Sequence, residues 1–364
     1  MTGALLVLNA GSSSLKFRLF DPDLALLANG RITGIGSDAT FQLEGAQPQN
    51  LPSYTTQEQA LHAMLHWLIE QPWTLRAITH RIVHGGSNYT APTRLNDAIL
   101  AQLETLVPLA PLHQPHALSA IRLLATLYPD LPQIGCFDTA FHANHSRVFS
   151  EYAVSKSLRT QGIRRYGFHG LSYDWIMQQL QIHHPEQAAG RVVAAHLGNG
   201  ASLCAIHNGK SIDTTMGMTA LDGLPMGTRC GQIDPGALLY MQRELQLDAA
   251  AIEHTLSYDS GLKGLSGISN DMRELRASAH PDAAFAIEFF TMMTAQHIAR
   301  MAVAIGGMDM LVFTGGIGEN DAQLRSDIQK LLAFMPAFTT LTIPANEEQL
   351  MAQQCITLLQ GNLI

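Results

Sequence analysis

The chain has 364 residues, of which 46% are hydrophobic and 14% charged, with a formal net charge of −8. Such a chain can bury a large core and is typical of two globular domains, and its low charge argues against disorder. The acidic balance, without any run of lysine and arginine, predicts no nucleic-acid partner.

The four cysteines show no C-x-x-C spacing, which argues against a disulfide framework and a zinc site and favours a cytoplasmic location. The sixteen histidines include the pairs His80 and His84, His113 and His116, and His142 and His145, but none of these has a third ligand at a familiar metal spacing. The N-terminus has no signal-peptide pattern, and no apolar run is long enough to span a bilayer, so no membrane association is predicted.

The first predicted element is an N-terminal β-hairpin. Residues 4–20 consist of an apolar run, a small polar turn from Asn9 to Ser14, and an alternating strand. The same order recurs in residues 191–207, where the turn runs from Gly198 to Ser202. This repetition predicts that the chain contains an internal duplication.

Strand-like and helical stretches alternate between the two hairpins, with amphipathic segments at 57–70 and 96–107 and a strand at 133–137. This alternation is typical of an α/β protein. Further along, a strand at 310–314 runs into the glycine-rich segment 315–320 and a helix. Such a strand, turn and helix N-terminus predict an anion or nucleotide site.

Two generic nucleotide motifs fail on inspection. The segment 208–211 ends like a P-loop, but Cys204 stands where the first glycine belongs, and Asn208-Gly209 is a better hairpin turn. The segment 316–318 begins like a dinucleotide fingerprint, but Asp321 takes the place of its third glycine. A nicotinamide enzyme therefore remains only as an alternative.

Eight short blocks rich in glycine, histidine and arginine are spread over nearly the whole chain. They are residues 8–16, 80–86, 110–113, 137–142, 165–170, 196–200, 226–229 and 313–320. In this order they resemble the blocks of the acetokinase family, within the actin/Hsp70/sugar-kinase superfamily. The resemblance implies two duplicated actin-like, ribonuclease H-like βββαβαβα domains with an ATP cleft between them.

Domain I would comprise residues 1–137 and 348–364, and domain II residues 138–347 with the surface of a homodimer. The implied reaction is reversible, in-line transfer of the γ-phosphoryl group of ATP to acetate, giving acetyl phosphate and ADP. The implied cofactor is Mg²⁺, or Mn²⁺.

The resemblance also assigns catalytic roles, and the residue types suit the chemistry. Phosphoryl transfer passes through a loose transition state that needs positioning and positive charge, which Arg81 and Arg229 can supply. His169 would donate a hydrogen bond to the phosphoryl group, although a lone histidine is more often a hydrogen-bonded structural residue. Asp138 follows a strand-like run and would act in the cleft, with a helix N-cap as the alternative role.

The resemblance further assigns the binding residues. The acyl group would contact Arg81, Val83, Leu112, Phe168 and Ala220. ATP would contact Asn9, Ser12, Ser14, Lys16, His196, Leu197, Gly198, Asn199, Gly200, Asp271, Met272, Arg273, Gly316, Ile317, Gly318, Glu319 and Asn320. The metal ion would be held by Asn9 and Glu347, with Glu348 as an alternative to Glu347.

Departures from the family pattern leave some points open. Gln114 replaces an asparagine, and the segment between Asn320 and Glu347 is shorter than in typical relatives by about twenty residues, a change that a surface loop tolerates. Ala220 replaces a proline of the acyl pocket, so a propionate kinase is an alternative. A second alternative is an actin-like module that binds ATP without turnover.

Overall fold

The structure, a computed structural model, describes residues 2–361. They form two compact units: unit 1 runs up to Ala140 and resumes at Asn346, and unit 2 is Phe141–Ala345. The sequence-based boundaries lie a few residues away, and the difference moves Asp138 and Glu347, assigned above to domain II, into unit 1. The treatment of these units as domains stays a prediction.

Unit 1 contains a mixed eight-stranded sheet in the order β5-β4-β3-β2-β1-β6-β8-β7. Its strands are β1 Thr2–Ala10, β2 Ser14–Phe20, β3 Leu26–Thr33, β4 Thr40–Leu43, β5 Gln49–Asn50, β6 Trp73–Ile82, β7 Thr93–Arg94 and β8 Gln133–Phe137. Its helices are α1 Gln57–Ile69, α2 Asp97–Glu104, the 3-10 turn Val107–Leu109, α3 Gln114–Leu127 and the C-terminal helix Glu347–Gly361.

The core of unit 1 explains why β1 reads as a continuous apolar run. Leu6 and Leu8 lie in one hydrophobic cluster with residues of α1 and α3, while the C-terminal helix also packs against β1 and β6. A strand covered by helices in this way has little use for polar side chains. Helix α1 begins with a capping box, in which Thr56 and Gln59 each bond to the backbone of the other.

Unit 2 contains a five-stranded sheet in the order β11-β10-β9-β12-β13. Its strands are β9 Arg191–Leu197, β10 Ala201–His207, β11 Lys210–Thr214, β12 Met310–Thr314 and β13 Thr339–Thr342. Its helices are the 3-10 turn Ala140–His142, which begins on the last residue of unit 1's first segment, then α4 Arg147–Ser150, α5 Lys156–Thr160, α6 Gly170–His183, α7 Pro185–Ala188, α8 Pro235–Arg243, α9 Ala249–Tyr258, α10 Gly261–Ser266, α11 Met272–Ala277, α12 Pro281–Ala304, α13 Gly315–Asn320 and α14 Ala322–Leu331.

The two sheets share one strand order. In unit 1, β3-β2-β1 are antiparallel neighbours and β6 and β8 continue in parallel. In unit 2, β11-β10-β9 are antiparallel and β12 and β13 continue in parallel. The predicted α/β class is therefore confirmed, and the repeated hairpins do begin two copies of the same topology.

The longest helix, α12, packs against β9, β10 and β11 of unit 2. Throughout residues 2–361, no helix combines the length and the apolar character that crossing a membrane requires.

Candidate active site

In unit 1, the predicted site residues lie where parallel strands end. Asn9 is near the end of β1, Arg81 is near the end of β6, and Asp138 directly follows β8. Neighbouring parallel strands present their carboxyl ends at one edge of a sheet, where ligands of open α/β folds bind. Glu347, the first residue of the C-terminal helix, lies at the same edge, where it forms an ion pair with Arg81.

Arg81 is held between two carboxylates. Its Nε donates to Asp138 Oδ1 at 3.1 Å and its Nη2 to Asp138 Oδ2 at 2.8 Å, a bidentate pair. Its Nη1 lies 3.1 Å from Glu347 Oε2. The side chains are 19%, 2% and 11% exposed for Arg81, Asp138 and Glu347, so this ion triad is largely shielded from water.

Burial and charge act in opposite directions on these groups. Burial by itself would lower the pKa of Arg81, but attraction by Asp138 and Glu347 outweighs it and raises that pKa, so the guanidinium stays charged. Burial raises the pKa of Glu347, and repulsion by Glu348 adds to this, while Arg81 and Lys16 act against it. The triad is thus a fixed cation with two acids, one of which is easier to protonate than usual.

The loops around Arg81 are tied together by Gln114, the residue that departs from the family pattern. Gln114 is fully buried. Its Oε1 accepts a hydrogen bond from the backbone amide of His84 at 3.2 Å, and its Nε2 donates one to the backbone carbonyl of His84 at 3.0 Å. The longer side chain thereby joins the start of α3 to the loop after β6. Val83 and Leu112 of the predicted acyl pocket are half-buried in this part of unit 1.

The first hairpin turn is compact. The amide of Gly11 donates to the carbonyl of Ser14 at 2.8 Å, and Gln57 at the start of α1 donates to the carbonyl of Gly11. Ser12 and Lys16 are exposed, and Asn9 is paired with Lys16 across the strands.

In unit 2, His169 stands at the N-terminus of α6 with a left-handed φ of 57°. Its Nδ1 lies 2.8 Å from Ser202 Oγ, and its ring is stacked on His196 with centroids 4.2 Å apart. His196 is anchored in the same manner, with Nδ1 2.8 Å from Ser172 Oγ. Phe168, before His169, is 1% exposed.

Arg229 and His169 converge on the second hairpin turn at Gly200. A methyl group placed on Gly200 would lie 2.9 Å from Arg229 Nη2 and 3.3 Å from His169 Nε2, so a larger residue here would displace both side chains. Arg229 Nη1 also donates to the carbonyl of Ala220 at 2.8 Å. The structure therefore brings together a guanidinium and an imidazole nitrogen that were predicted from separate motifs.

A cavity of about 620 Å³ lies beside this turn, within the size range of small-molecule sites. The predicted nucleotide residues that line it are Gly198, Asn199, Asp271, Met272, Arg273, Gly316, Ile317 and Asn320. Three lining residues were not predicted: Asn270, Arg276 and Asp321. Asn270 donates a hydrogen bond to Asn199 Oδ1 at 3.0 Å. In the sequence, only its position next to Asp271 could have indicated that it lies in this site.

The other predicted nucleotide residues do not line this cavity. They are Asn9, Ser12, Ser14 and Lys16 of unit 1, and His196, Leu197, Gly200, Gly318 and Glu319 of unit 2. Glu319 has a structural task, since its Oε1 accepts from the amides of Gly315 at 2.9 Å and Ala345 at 3.0 Å. In the cavity wall, hydrogen bonding from Arg273 lowers the pKa of Asp271 to about 2.

Within the part of the chain that the structure describes, no group of three or more His, Cys, Asp or Glu side chains is arranged to hold a metal ion. Mg²⁺ needs fewer protein ligands than that, because it keeps several waters and prefers hard oxygen donors. Glu347 and Asp138 offer carboxylate oxygens beside Arg81, and Asn9 offers an amide oxygen two strands from β8. This donor set suits Mg²⁺.

The duplicated sheet order, in a chain with a cavity beside Gly198, is that of the class of actin-like ATPases. The model of the Acetokinase family matches residues 4–355. The acetate kinase of Nitrobacter hamburgensis is 42% identical, over 98% of this chain and 96% of the relative. The chain belongs to the acetokinase family.

Solved structures agree with this membership. A propionate kinase from Francisella tularensis has a TM-score of 0.91 and 35% identity, covering 97% of this chain and 98% of its own. The acetate kinase of Porphyromonas gingivalis has a TM-score of 0.88 and 31% identity, covering 98% of this chain and 100% of its own.

Proposed function

We propose that this protein catalyses the reversible transfer of the γ-phosphoryl group of ATP to acetate. The observation that carries the proposal is the meeting of Arg229 Nη2 and His169 Nε2 over Gly200, next to a cavity of nucleotide size. A transferring phosphoryl group needs hydrogen-bond donors and positive charge of this kind, and the chain belongs to the acetokinase family.

The chemistry is a single displacement. A carboxylate oxygen of acetate attacks the γ-phosphorus, the bond from phosphorus to the β–γ bridging oxygen breaks, and ADP leaves with those electrons. Arg229 and His169 stabilise the charge on the equatorial oxygens, and Arg81 holds the acetate carboxylate, for which its planar guanidinium is suited. Asp138 keeps Arg81 oriented through the bidentate pair. The reverse reaction forms ATP from acetyl phosphate and ADP.

The proposed cofactor is Mg²⁺, with Mn²⁺ as a substitute, held through Glu347 and Asn9 near the Asp138 carboxylate. When bound, the ion neutralises charge on the phosphate oxygens. Glu348 is the alternative ligand to Glu347; its Oε2 lies 3.6 Å from Arg18 Nη1.

The acceptor pocket is proposed to consist of Val83, Leu112, Phe168 and Ala220. Alanine in place of the family's proline leaves one wall smaller, and one methylene changes binding by only about 1–3 kcal/mol. Acetate should therefore be used best, propionate appreciably and butyrate poorly.

We propose a cytoplasmic homodimer. Helix α8 has no buried residue, and Leu239, Tyr240 and Leu245 in this region are each more than half exposed. Apolar side chains gathered in this way are typical of a surface that another chain covers. Sedimentation should give twice the mass of the chain, and Leu239→Glu should lower it; a monomeric wild type would contradict the proposal.

The test of the function is the formation of an acyl phosphate, trapped by hydroxylamine as a hydroxamate, with Mg-ATP and acetate, propionate or butyrate. We expect ATP-dependent hydroxamate with acetate above propionate, and none with His169→Ala. A wild type that binds ATP but makes no hydroxamate would favour the non-catalytic module. A preference for propionate would favour the second candidate, whose support is the likeness to the Francisella tularensis propionate kinase.

A further inference from the structure

Two buried hydroxyl groups stand behind His169, on the side of its ring away from Gly200. Ser202 Oγ lies 2.8 Å from His169 Nδ1 and 2.5 Å from Tyr173 Oη. Ser202 and Tyr173 are both 0% exposed, and neither was predicted as a site residue. Tyr173 lies one turn into α6 and Ser202 near the start of β10, so two rigid elements hold this chain of hydrogen bonds.

The number of available protons restricts the directions of these two hydrogen bonds. A serine hydroxyl has one proton, so with two partners it must receive a hydrogen bond from at least one of them. The phenol of Tyr173 is more acidic than the serine hydroxyl and is the better donor. With Tyr173 donating to Ser202, the serine proton points to His169 Nδ1, and the proton of the neutral imidazole then lies on Nε2.

We propose that Ser202 and Tyr173 are positioning residues that hold His169 as its Nε2–H tautomer. Nε2 is the ring nitrogen near Gly200 and Arg229, where the proposed function needs a hydrogen-bond donor to the phosphoryl group. With the opposite tautomer, Nε2 would present a lone pair to the negatively charged phosphoryl oxygens. The role given to the Nε2 proton rests on the proposed function, whereas the hydrogen bonds that select the tautomer do not.

Two further features of His169 hold the ring without choosing a tautomer. Stacking on His196 fixes the plane of the ring, and the left-handed backbone fixes where the side chain starts. Neither interaction distinguishes Nδ1 from Nε2. Ser172 anchors His196, whereas Ser202 lies at His169 Nδ1 itself.

The kinetic test compares single hydroxyl deletions. Ser202→Ala should lower kcat about 10-fold with little change in KM for either substrate, which is the lower end of the loss caused by removing the partner that orients a metal-bound histidine. Tyr173→Phe should give a smaller loss, and Ser202→Thr, which keeps the hydroxyl, should retain most of kcat. The matched control is Thr294→Val, which removes a fully buried hydroxyl that donates to Phe290 of its own helix.

The direct test is the protonation of the His169 ring, read from two-bond ¹⁵N–¹H correlations of histidine-labelled protein and assigned with His169→Gln. We expect the Nε2–H pattern in wild type and a mixture of tautomers in Ser202→Ala. An Nδ1–H pattern in wild type, or wild-type kcat in Ser202→Ala, would overturn the inference. The tautomer can be measured without turnover, so this experiment tests the inference even if the protein makes no acyl phosphate. A failure to make acyl phosphate would refute only the proposed function.

Discussion

At the scale of single residues, the two arginines predicted to be catalytic, Arg81 and Arg229, differ in the partners that their guanidinium groups contact. Arg81 lies between Asp138 and Glu347, and its loss would leave two carboxylates close together in a poorly hydrated place. Arg229 donates to the neutral carbonyl of Ala220. The sequence presents them as equivalent, but their surroundings predict different costs of removal.

Arg81→Ala should lower kcat by at least about 10²-fold and also lower the free energy of unfolding by about 3 kcal/mol, as expected when one partner of a buried ion pair is removed. Arg229→Ala should lower kcat to a similar degree with a smaller loss of stability. Steady-state kinetics and urea unfolding measure both effects.

The matched control is Arg31→Ala, which removes an exposed arginine of unit 1 bonded to Gln42 and should change neither quantity. Adding Glu347→Gln to Arg81→Ala should recover part of the lost stability, because one of the two like charges is then gone. If Arg81→Ala is as stable as the wild type, the ion triad does not contribute to folding.

At the scale of elements, the turn from β12 into α13 forms one wall of the cavity. Gly315 has a φ of 80°, and a methyl group on it would lie 2.8 Å from the carbonyl oxygen of Leu197 in β9. Gly316 has an ordinary φ, and a methyl group on it would have no atom within 4 Å. The two adjacent glycines thus have different roles. Gly315 is needed for the backbone conformation and the close approach to β9, whereas Gly316 leaves space open in the cavity.

Gly315→Ala should destabilise the protein, since the left-handed conformation alone costs about 1–2 kcal/mol and the close approach to β9 adds to it. Gly316→Ala should leave the melting temperature nearly unchanged but raise KM for ATP severalfold, because its methyl group extends into the cavity. Thermal melting and KM, measured on both variants, separate the two roles. Equal losses of stability, or an unchanged KM in Gly316→Ala, would refute this division.

At the scale of the whole molecule, buried histidines make stability depend on pH. His142 Nε2 donates to the carbonyl of Phe168 at 2.9 Å, so its Nδ1 must accept the proton of Ser211, and His145 must in turn donate to Ser211. Burial, with repulsion from His145, lowers the pKa of His142 to about 3. Burial, with repulsion from Arg165, lowers the pKa of His145 to about 4.

Both folded-state pKa values lie below the ordinary 6.5, so unfolding takes up protons at mildly acidic pH. The stability from these neutral histidines is fully present above about pH 6.5 and is lost progressively as the pH falls to about 4 for His145 and about 3 for His142. At pH 5, each histidine should account for a loss of about 2 kcal/mol relative to pH 7.

His142→Gln should therefore lose less stability between pH 7 and pH 5 than the wild type does, by about 2 kcal/mol in urea unfolding. His62→Gln, which replaces an exposed histidine of α1, should keep the wild-type dependence on pH. A His142→Gln variant with an undiminished pH dependence would show that other groups cause the acid sensitivity.

Local sequence patterns were sufficient for the fold class. The repeated apolar run, polar turn and alternating strand are properties of neighbouring residues, and each hairpin forms within a single stretch of chain. The blocks around Arg81, His169 and Arg229 could likewise be read one at a time. The sequence by itself therefore determined the α/β class, the duplication and the family, and it predicted the motifs that are proposed to carry chemistry.

Only the tertiary structure decided which of these residues meet. Ser202 and Tyr173 carry no motif of their own, and Asp138 and Glu347 are 209 positions apart in the numbering, yet both contact Arg81. Glu319 was predicted only as part of a nucleotide block, and the structure adds that its carboxylate is bonded to backbone amides. The physical reason is that burial, ion pairing and the direction of a hydrogen bond depend on neighbours that folding brings from distant parts of the chain.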